Sequence, residues 1–200
     1  MSNLATSRSI TFVDVETTHL DSKRSAILSI SIITDDESGR QQVWSTKIKP
    51  LTVELEFADP EALKVCEYSY EEWEDAPSFE EVAETIAEKL AWGPIVGHNI
   101  AFDIEHLTAA FKRRGWRSLK RNENFREVEK RYKFGYPLID TCALAFLFLP
   151  AERQNLNALR DFYGIDKSRA HAADTDCEDC RTVFYNIISN KLDSGQPAAD

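Results

Sequence analysis

The chain has 200 residues, 42% of them hydrophobic, which suits one globular domain with a sizeable core better than two thin ones. Its formal net charge of −10 argues against broad electrostatic binding of nucleic acid, which depends on Lys and Arg, but not against a metal-mediated site for a short end. No apolar run approaches the ~20 residues of a membrane span and the polar start lacks the regions of a signal peptide, so we expect a cytoplasmic protein without membrane contact.

The first part of the chain predicts a small antiparallel sheet. Residues 9–15, 26–34 and 41–48 are short, rich in β-branched side chains and separated by turn-rich segments, as in three consecutive strands. Residues 50–76 are acidic and are predicted to be irregular. A capping box of Ser78 and Glu81 then begins a helix that we expect to end near residue 90, before a Gly-Pro pair.

The rest of the chain alternates strands with helices. The predicted elements are a short buried strand over residues 94–97, a helix over 101–113, a fifth strand over 137–140, an apolar helix over 141–149, a helix between Asn155 and Gly164, and a last helix over about 172–191. Strands first, and then helices alternating with strands, predict an α/β sheet with helices packed on its faces. We expect one domain over residues 9–192, with disordered tails at 1–8 and 193–200.

Two further patterns each allow a functional and a structural interpretation. Residues 112–133 hold ten Lys or Arg against three Glu, a local charge of +7 that leaves −17 for the remainder. This segment is either a solvated helical face or a rim that guides phosphates. Of the four cysteines, Cys177 and Cys180 make half a zinc site at most, and we interpret them as two cysteines on one helix.

Two acids lie one residue apart on the first predicted strand. Because side chains alternate along a strand, Asp14 and Glu16 point to the same face as Phe12, about 6–7 Å apart along the chain. Two anions on one partly buried face repel each other and lose hydration. A basic partner or a metal ion is therefore needed to compensate them.

Two more acids are predicted on the inner faces of helices. Asp103 is in register with Leu107, Ala110 and Phe111, and Asp176 is in register with Cys180, Val183, Phe184 and Ile187. Each acid alone has an ordinary interpretation, as a strand-end or helix N-terminal residue. Together, with no Lys or Arg evident on the same faces, four inward carboxylates favour oxygen-binding cations such as Mg²⁺ or Mn²⁺.

Three short motifs occur in order along the chain. They are Asp14-Val-Glu16-Thr17-Thr18, Gly97-His98-Asn99-Ile-Ala-Phe102-Asp103 and His171-Ala-Ala-Asp-Thr-Asp176. Together they resemble the DEDDh family of 3′→5′ exonucleases, over about residues 9–192. The resemblance implies a ribonuclease H-like fold, with a five-stranded mixed sheet of three antiparallel and then two parallel strands and helices on both faces. The chain departs from the family at His19, where a Gly would let backbone and nucleotide approach closely, so the terminal-nucleotide pocket is expected to differ.

The resemblance also implies a two-metal mechanism. Two divalent ions, Mg²⁺ or Mn²⁺, would be held by Asp14, Glu16, Asp103 and Asp176. Ions about 3.5–4 Å apart can activate a water and stabilise the leaving 3′-oxygen. His171 would be the general base for that water. Because it lies five residues before Asp176, roughly 140° around a regular helix, we expect it in the preceding turn, from which it would swing in.

Six residues would contact the substrate or shape its pocket according to the resemblance: Thr17, Thr18, Leu20, His98, Asn99 and Phe102. Thr17 would contact the terminal sugar, Leu20 would wedge against the terminal bases, and Phe102 would stack under one of them. His98 and Asn99 would shape the floor of the site.

Two other polar residues near these motifs have structural interpretations. We interpret His106 as a surface or core histidine. We interpret Asp140 as a strand-end acid that caps the helix beginning at Thr141, with a supporting role at the site as the alternative.

We therefore predict a metal-dependent 3′→5′ exonuclease that acts on single-stranded DNA ends and releases nucleoside 5′-monophosphates, for proofreading or end trimming. Proofreading would need a polymerase partner. One alternative is an RNA 3′-end exoribonuclease or oligoribonuclease, because the same motifs serve both sugars. The other is a catalytically inactive polymerase-partner module, and the complete set of four acids and His171 counts against it.

Overall fold

The computed structural model describes residues 9–119, 130–149, 154–168 and 170–194. The strands are β1 (Ile10–Thr17), β2 (Ile27–Asp35), β3 (Gln41–Lys47), β4 (Ile95–Gly97), β5 (Arg117–Ser118), β6 (Arg131–Tyr132) and β7 (Leu138–Asp140). The helices are α1 (Thr52–Leu55), α2 (Pro60–Val65), α3 (Tyr70–Trp73), α4 (Phe79–Lys89), α5 (Ile100–Arg113), α6 (Thr141–Phe148), α7 (Leu156–Tyr163) and α8 (Ala173–Ser194). Within these ranges, no helix combines the length and apolar character needed to cross a membrane.

Strand β1 is the centre of a five-stranded sheet with the order β3-β2-β1-β4-β7. The first three strands pair antiparallel, whereas β1 with β4 and β4 with β7 pair parallel. This arrangement confirms the predicted mixed sheet. Because the parallel strands end at the same edge, the residues at and after their carboxyl ends meet there, where ligands bind in open α/β sheets.

Helices cover both faces of this sheet, as expected. On one face, α4 and α5 pack on strand residues to form a core that includes Val13, Val15, Ile30, Ile86, Leu107 and Phe111. On the other face, α8 packs on β1, and the rings of Phe12 and Phe184 lie 5.6 Å apart. Helices α6 and α7 then pack against α8. Since side chains alternate along β1, its acids share the face that α8 covers.

Several predicted helix ends are confirmed by their capping contacts. At α4, the backbone N–H and the hydroxyl of Ser78 both donate to the carboxylate of Glu81, at 2.7 and 2.8 Å. At α7, the side-chain oxygen of Asn155 accepts the N–H of Ala158 at 2.9 Å. Gly164 ends this helix with a φ of 66°, a left-handed conformation that favours glycine.

Residues 50–76 differ from the prediction, because they contain three short helices rather than irregular chain. Two of them begin with ordinary capping contacts: the carboxylate of Asp59 accepts the N–H of Glu61 at 2.9 Å, and the hydroxyl of Ser69 accepts that of Glu72 at 3.3 Å. Helices of four to six residues are too short to show an apolar period. The acidic composition of the segment was therefore the only signal, and it does not indicate helices.

The last helix is longer than predicted. Helix α8 continues to Ser194, so the first two residues of the expected C-terminal tail are helical. The remaining tail residues, 1–8 and 195–200, lie outside the described residues.

The basic segment over residues 112–133 is described only in part, because residues 120–129 lie outside the described ranges. Its described part is not a continuous helical face: α5 ends at Arg113, and β5 and β6 pair in parallel. Arg114 forms a bidentate ion pair with Glu54, at 2.8 and 3.0 Å. Some of the positive charge is thus used within the protein, and a phosphate-guiding role for the remainder stays a prediction.

Candidate active site

The carboxyl half of β1 carries the first two predicted acids. Asp14 and Glu16 are half-buried and share the strand face of Phe12, against which α8 packs. Asp176 lies in the first turn of α8 and is only 8% exposed. The packing of α8 on the sheet therefore brings acids from two distant parts of the chain to the same place.

Asp103 approaches β1 from the first turn of α5. Strand β4 pairs with β1 only as far as Phe12, so the backbone N–H of Val15 lies beyond its reach. This N–H donates to Oδ1 of Asp103 at 3.0 Å. Asp103 is 3% exposed and is held beside the residue that separates Asp14 from Glu16.

The pKa values of three of the acids are raised by burial and by the charges of their acidic neighbours. The pKa of Asp14 is raised well above its ordinary value, first by burial and then by the negative charges of Asp103, Glu16 and Asp176. The pKa of Asp103 is also raised well above its ordinary value, by burial and by the charge of Glu16, against backbone hydrogen bonds that lower it. Burial, together with the charge of Asp176, raises the pKa of Glu16 to about 7.

A buried arginine lies beside this cluster. The side chain of Arg160, on α7, is 1% exposed; its Nη2 donates to Oδ1 of Asp176 at 2.6 Å and its Nε to Oδ2 of Asp179 at 2.7 Å. The faces that carry the acids were expected to lack Lys and Arg of their own, and the basic partner of Asp176 comes from another helix. A sequence signal was present, because Arg160 follows Leu156 by four residues and falls on the apolar stripe of α7.

A cysteine that the sequence motifs do not include also contacts the cluster. The thiol of Cys66, which follows α2, lies 3.3 Å from Oε2 of Glu16. Burial and the charge of Glu16 raise the pKa of this thiol to about 12, so it stays protonated and donates. No local pattern could have indicated this contact, because the two residues are fifty positions apart.

The cluster fits divalent cations in donor type and in charge. Its ligand atoms are carboxylate oxygens, which Mg²⁺ and Mn²⁺ prefer, and the raised pKa values show that its negative charge is incompletely compensated. In Glu16, Asp103 and Asp176, one carboxylate oxygen accepts a hydrogen bond from another group of the protein. Over the described ranges, no group of three or more Asp, Glu, His or Cys side chains is already placed to hold a metal ion.

His171 lies in the turn before α8, as predicted from its spacing to Asp176. Helix α8 begins at Ala173, and His171 has a φ of 69° and is exposed. Its backbone N–H donates to Oδ1 of Asp176 at 3.0 Å. It lines two neighbouring grooves, one of about 570 Å³ shared with Glu16 and Cys66, and one of about 430 Å³ shared with Arg160 and Asp176.

The turn between β4 and α5 joins the site to β7. Nδ1 of His98 lies 3.0 Å from Oγ1 of Thr141, and Asn99 adopts a left-handed φ of 62°. Oδ1 of Asp140 accepts the N–H of Asn99 and that of Cys142, each at 2.9 Å. The capping role predicted for Asp140 is confirmed, and the same carboxylate also supports the turn that begins α5.

The predicted substrate residues differ in exposure. Leu20 is 79% exposed and Phe102 is half-buried, whereas Thr17 is 7% exposed. Thr18 is fully buried, and its hydroxyl accepts the N–H of Ala26 at 2.8 Å. The predicted substrate contact of Thr18 is therefore not available in this conformation, and its side chain supports the loop after β1 instead.

Comparisons with known proteins agree with this architecture. A family model described as "Exonuclease" matches residues 11–184. The chain is 24% identical to the DNA polymerase III subunit epsilon of Treponema pallidum over 183 residues, which cover 90% of this chain and 76% of the relative. It is 32% identical to the subunit of the same name from Escherichia coli over 137 residues, 68% of this chain and 52% of that relative.

Solved structures share the fold at lower identity. The E. coli ExoI–ssDNA complex in its zinc-bound form has a TM-score of 0.66 at 18% identity, with 92% of this chain and 41% of that chain covered. Exonuclease X in complex with 5′ overhanging duplex DNA has a TM-score of 0.62 at 19% identity, with 94% and 95% covered. Among the curated relatives, the chain spans about half the length of several and three quarters of the treponemal one.

Proposed function

Because the chain belongs to the DEDDh family of 3′→5′ exonucleases, whose family model spans residues 11–184, we propose that it shortens single-stranded DNA from the 3′ end and releases nucleoside 5′-monophosphates. The observation that carries the proposal is the cluster of four carboxylates, in which burial, and then the charges of Asp103, Glu16 and Asp176, raise the pKa of Asp14. We assign the activity to one domain over residues 9–192.

The acids would act as the metal ligands of this reaction. Two divalent ions, Mg²⁺ or Mn²⁺, would be held by Asp14, Glu16, Asp103 and Asp176. Such ions, when bound, lower the pKa of a water and stabilise the charge that develops on the leaving oxygen. They would also neutralise the site, which otherwise repels the phosphates of a substrate.

His171 would act as the general base. An imidazole nitrogen would take a proton from the attacking water while the water oxygen bonds to phosphorus. The bond from phosphorus to the 3′-oxygen breaks, and that oxygen leaves with a proton from solvent. In support, His171 is exposed in a turn at the mouth of two grooves, and its backbone is held by Asp176, one of the proposed ligands.

The end of the substrate would be held by residues around the end of β1. Thr17 would contact the terminal sugar, while Leu20 would wedge against the terminal bases and Phe102 would stack under one of them. His98 and Asn99 would form the floor. Stacking on an aromatic ring tolerates any base, which suits an enzyme that removes successive nucleotides.

The names of similar proteins favour DNA as the substrate and a polymerase as a partner. The curated relatives are subunits of DNA polymerase III, and the solved structures include complexes with single-stranded and overhanging DNA. We therefore propose DNA proofreading or end trimming, with proofreading dependent on a separate polymerase.

The test is degradation of 5′-labelled single-stranded DNA and matched RNA by the purified protein in Mg²⁺, in Mn²⁺ and in chelator, beside His171→Ala. We expect a metal-dependent ladder that shortens from the 3′ end of DNA and is lost in the variant. A preference for RNA would instead identify a 3′-end exoribonuclease. If the wild-type protein cleaved neither, the proposed activity would be wrong and a non-catalytic partner role would take its place.

A further inference from the structure

The loop between β1 and β2, residues 18–26, carries Leu20, whose side chain is 79% exposed. The loop is closed by its own hydrogen bonds. Nδ1 of His19 accepts the N–H of Asp21 at 2.8 Å, and the N–H of His19 donates to Oγ of Ser25 at 3.2 Å. His19, which replaces the glycine of the family motif, therefore closes this turn with its side chain.

Helix α5 fixes the same loop from outside. Nε2 of His106 lies 3.1 Å from the carbonyl oxygen of His19. The guanidinium of Arg113 donates to the carbonyl oxygen of Ser22 at 2.8 Å and also to that of Ser25. These contacts fix both halves of the loop and leave the side chain of Leu20 exposed.

His106 also contacts the other apolar residue of the proposed substrate surface. It is 2% exposed, its ring centroid lies 4.0 Å from that of Phe102, and its Nδ1 lies 2.9 Å from the carbonyl oxygen of Phe102. One buried side chain thus joins the helix that carries Phe102 to the loop that carries Leu20. His106 is a core histidine, as one of the two interpretations of the sequence had it, and its two contacts also link these two parts of the proposed substrate surface.

We propose that His106, assisted by Arg113, is a positioning residue that holds the β1–β2 loop as a rigid wedge, and that this wedge determines how readily the enzyme opens a base-paired 3′ end. The inference rests on the proposed function. A wedge held in place before binding loses little conformational entropy when it separates the last bases. A paired end must be opened before it reaches the acids, whereas a single-stranded end needs little opening, so a loosened wedge should affect paired ends more.

Two amide variants of His106 separate this role from a general effect on packing. Both ring nitrogens of His106 face carbonyl oxygens, and a neutral imidazole donates through only one, so we take the tautomer whose proton is on Nε2, toward His19. In His106→Gln, the amide nitrogen can take the place of this Nε2 and donate to the carbonyl of His19. In His106→Asn, the amide can replace only Nδ1, beside Phe102, and the bond to the loop is lost. Both variants place an uncharged amide at the same buried position, so each serves as a control for the other.

The test is competition between two labelled DNA substrates in one reaction, one with an unpaired 3′ end and one with a fully paired 3′ end. The ratio of the two rates does not depend on how much of the enzyme is folded. We expect the paired-to-unpaired ratio to fall about fivefold in His106→Asn, the effect of one hydrogen bond, and to be kept in His106→Gln. Leu20→Ala should lower the ratio in the same direction. Equal ratios in wild type and both amide variants would overturn the proposal.

A binding measurement distinguishes failure of this inference from failure of the proposed function. A 3′-terminal 2-aminopurine, followed by fluorescence on a DNA duplex whose last linkage is an uncleavable methylphosphonate, reports unstacking without catalysis. We expect a rise in fluorescence with wild type and His106→Gln, and a smaller rise with His106→Asn. If wild type cleaved no substrate, this difference would still support the wedge, whereas identical signals for the two variants would overturn it.

Discussion

At the scale of single residues, Asp176 shows how one carboxylate can serve both the fold and the proposed chemistry. Its Oδ1 accepts from Arg160 and from the backbone of His171, while its negative charge raises the pKa values of Asp14 and Glu16. The guanidinium forms an ion pair with Asp176, and the backbone contact ties the proposed base to a proposed ligand. The counter-charge that the acids need is thus supplied partly by the protein.

Asp14→Ala is expected to abolish activity while changing the free energy of unfolding by less than about 1 kcal/mol, or even raising it. The substitution removes a proposed ligand together with an anion that its neighbours repel. Activity is measured on labelled DNA and stability by urea unfolding. Glu88→Ala, which removes an exposed acid of α4, is the control and should affect neither. An active Asp14→Ala enzyme would contradict the metal assignment.

Arg160→Met is expected to lower the free energy of unfolding by about 3–5 kcal/mol, because it leaves Asp176 and Asp179 buried without their cation. Adding Asp179→Asn should restore part of the loss, since one of the two stranded anions is then removed. The control is Arg181→Met, whose side chain is 23% exposed in its ion pair with Asp35, against 1% for Arg160. If urea unfolding showed the same loss of unfolding free energy in Arg160→Met and Arg181→Met, the deeper burial of Arg160 would be unimportant.

At the scale of elements, the site depends on the carboxyl ends of parallel strands. Strand β4 is only three residues long, and this shortness leaves the N–H of Val15 available to Asp103. The end of β7 contributes Asp140, which links α6 to the turn that begins α5. The proposed ligand on α5 is therefore positioned by two neighbouring strands as well as by its own helix.

Asp140→Ala is expected to destabilise the protein by about 1–2 kcal/mol, because α6 loses its N-cap and the N–H of Asn99 loses its acceptor. Activity should fall as well, since the turn that leads to Asp103 is loosened. Asp140→Asn retains the side-chain oxygen and should preserve most of the stability and most of the activity. Thermal unfolding and the DNA assay test the pair, and a similar outcome for the two substitutions would refute the capping explanation.

At the scale of the whole molecule, a chain of net charge −10 places a buried carboxylate cluster where an anionic polymer is proposed to bind. Long-range attraction to DNA is therefore weak, and recognition must come from bound cations and from the residues around the end of β1. Such a site is expected to depend on metal for its stability as well as for its activity.

The metal-free protein is expected to lose stability as the pH rises from about 4.5 to about 7. The pKa of Glu16 is about 7 in the folded protein against an ordinary value of 4.5, so between these values the folded state holds more protons than the unfolded state. The free energy of unfolding then falls with rising pH, and the raised pKa values of Asp14 and Asp103 act in the same direction.

This prediction is checked by thermal unfolding in chelator and in Mn²⁺ at about pH 5 and about pH 8. Mn²⁺ should raise the Tm more at the higher pH, because at the lower pH protons compete for the same oxygens. Glu16→Gln, which cannot titrate, should show a flatter dependence in chelator. A metal-free Tm that increased over this pH interval would contradict the description of the cluster.

The sequence by itself determined the features that depend on local periodicity. Alternation along β1 placed Asp14 and Glu16 on one face, and the helical period placed Asp103 and Asp176 on inward faces. The five sheet strands and the five longer helices follow from the same local preferences and from capping signals such as that of Ser78. These features are predictable because each is decided within a few residues of chain.

The tertiary structure alone decided which distant side chains meet. The contacts of Arg160 with Asp176 and of Cys66 with Glu16 span sixteen and fifty positions. The contact of His106 with the loop carbonyl of His19 spans eighty-seven. No periodic pattern specifies these pairs, because they form only when helices and loops from separate parts of the chain pack on one sheet. Local sequence therefore directed the acids inward, and packing chose the partners that surround them.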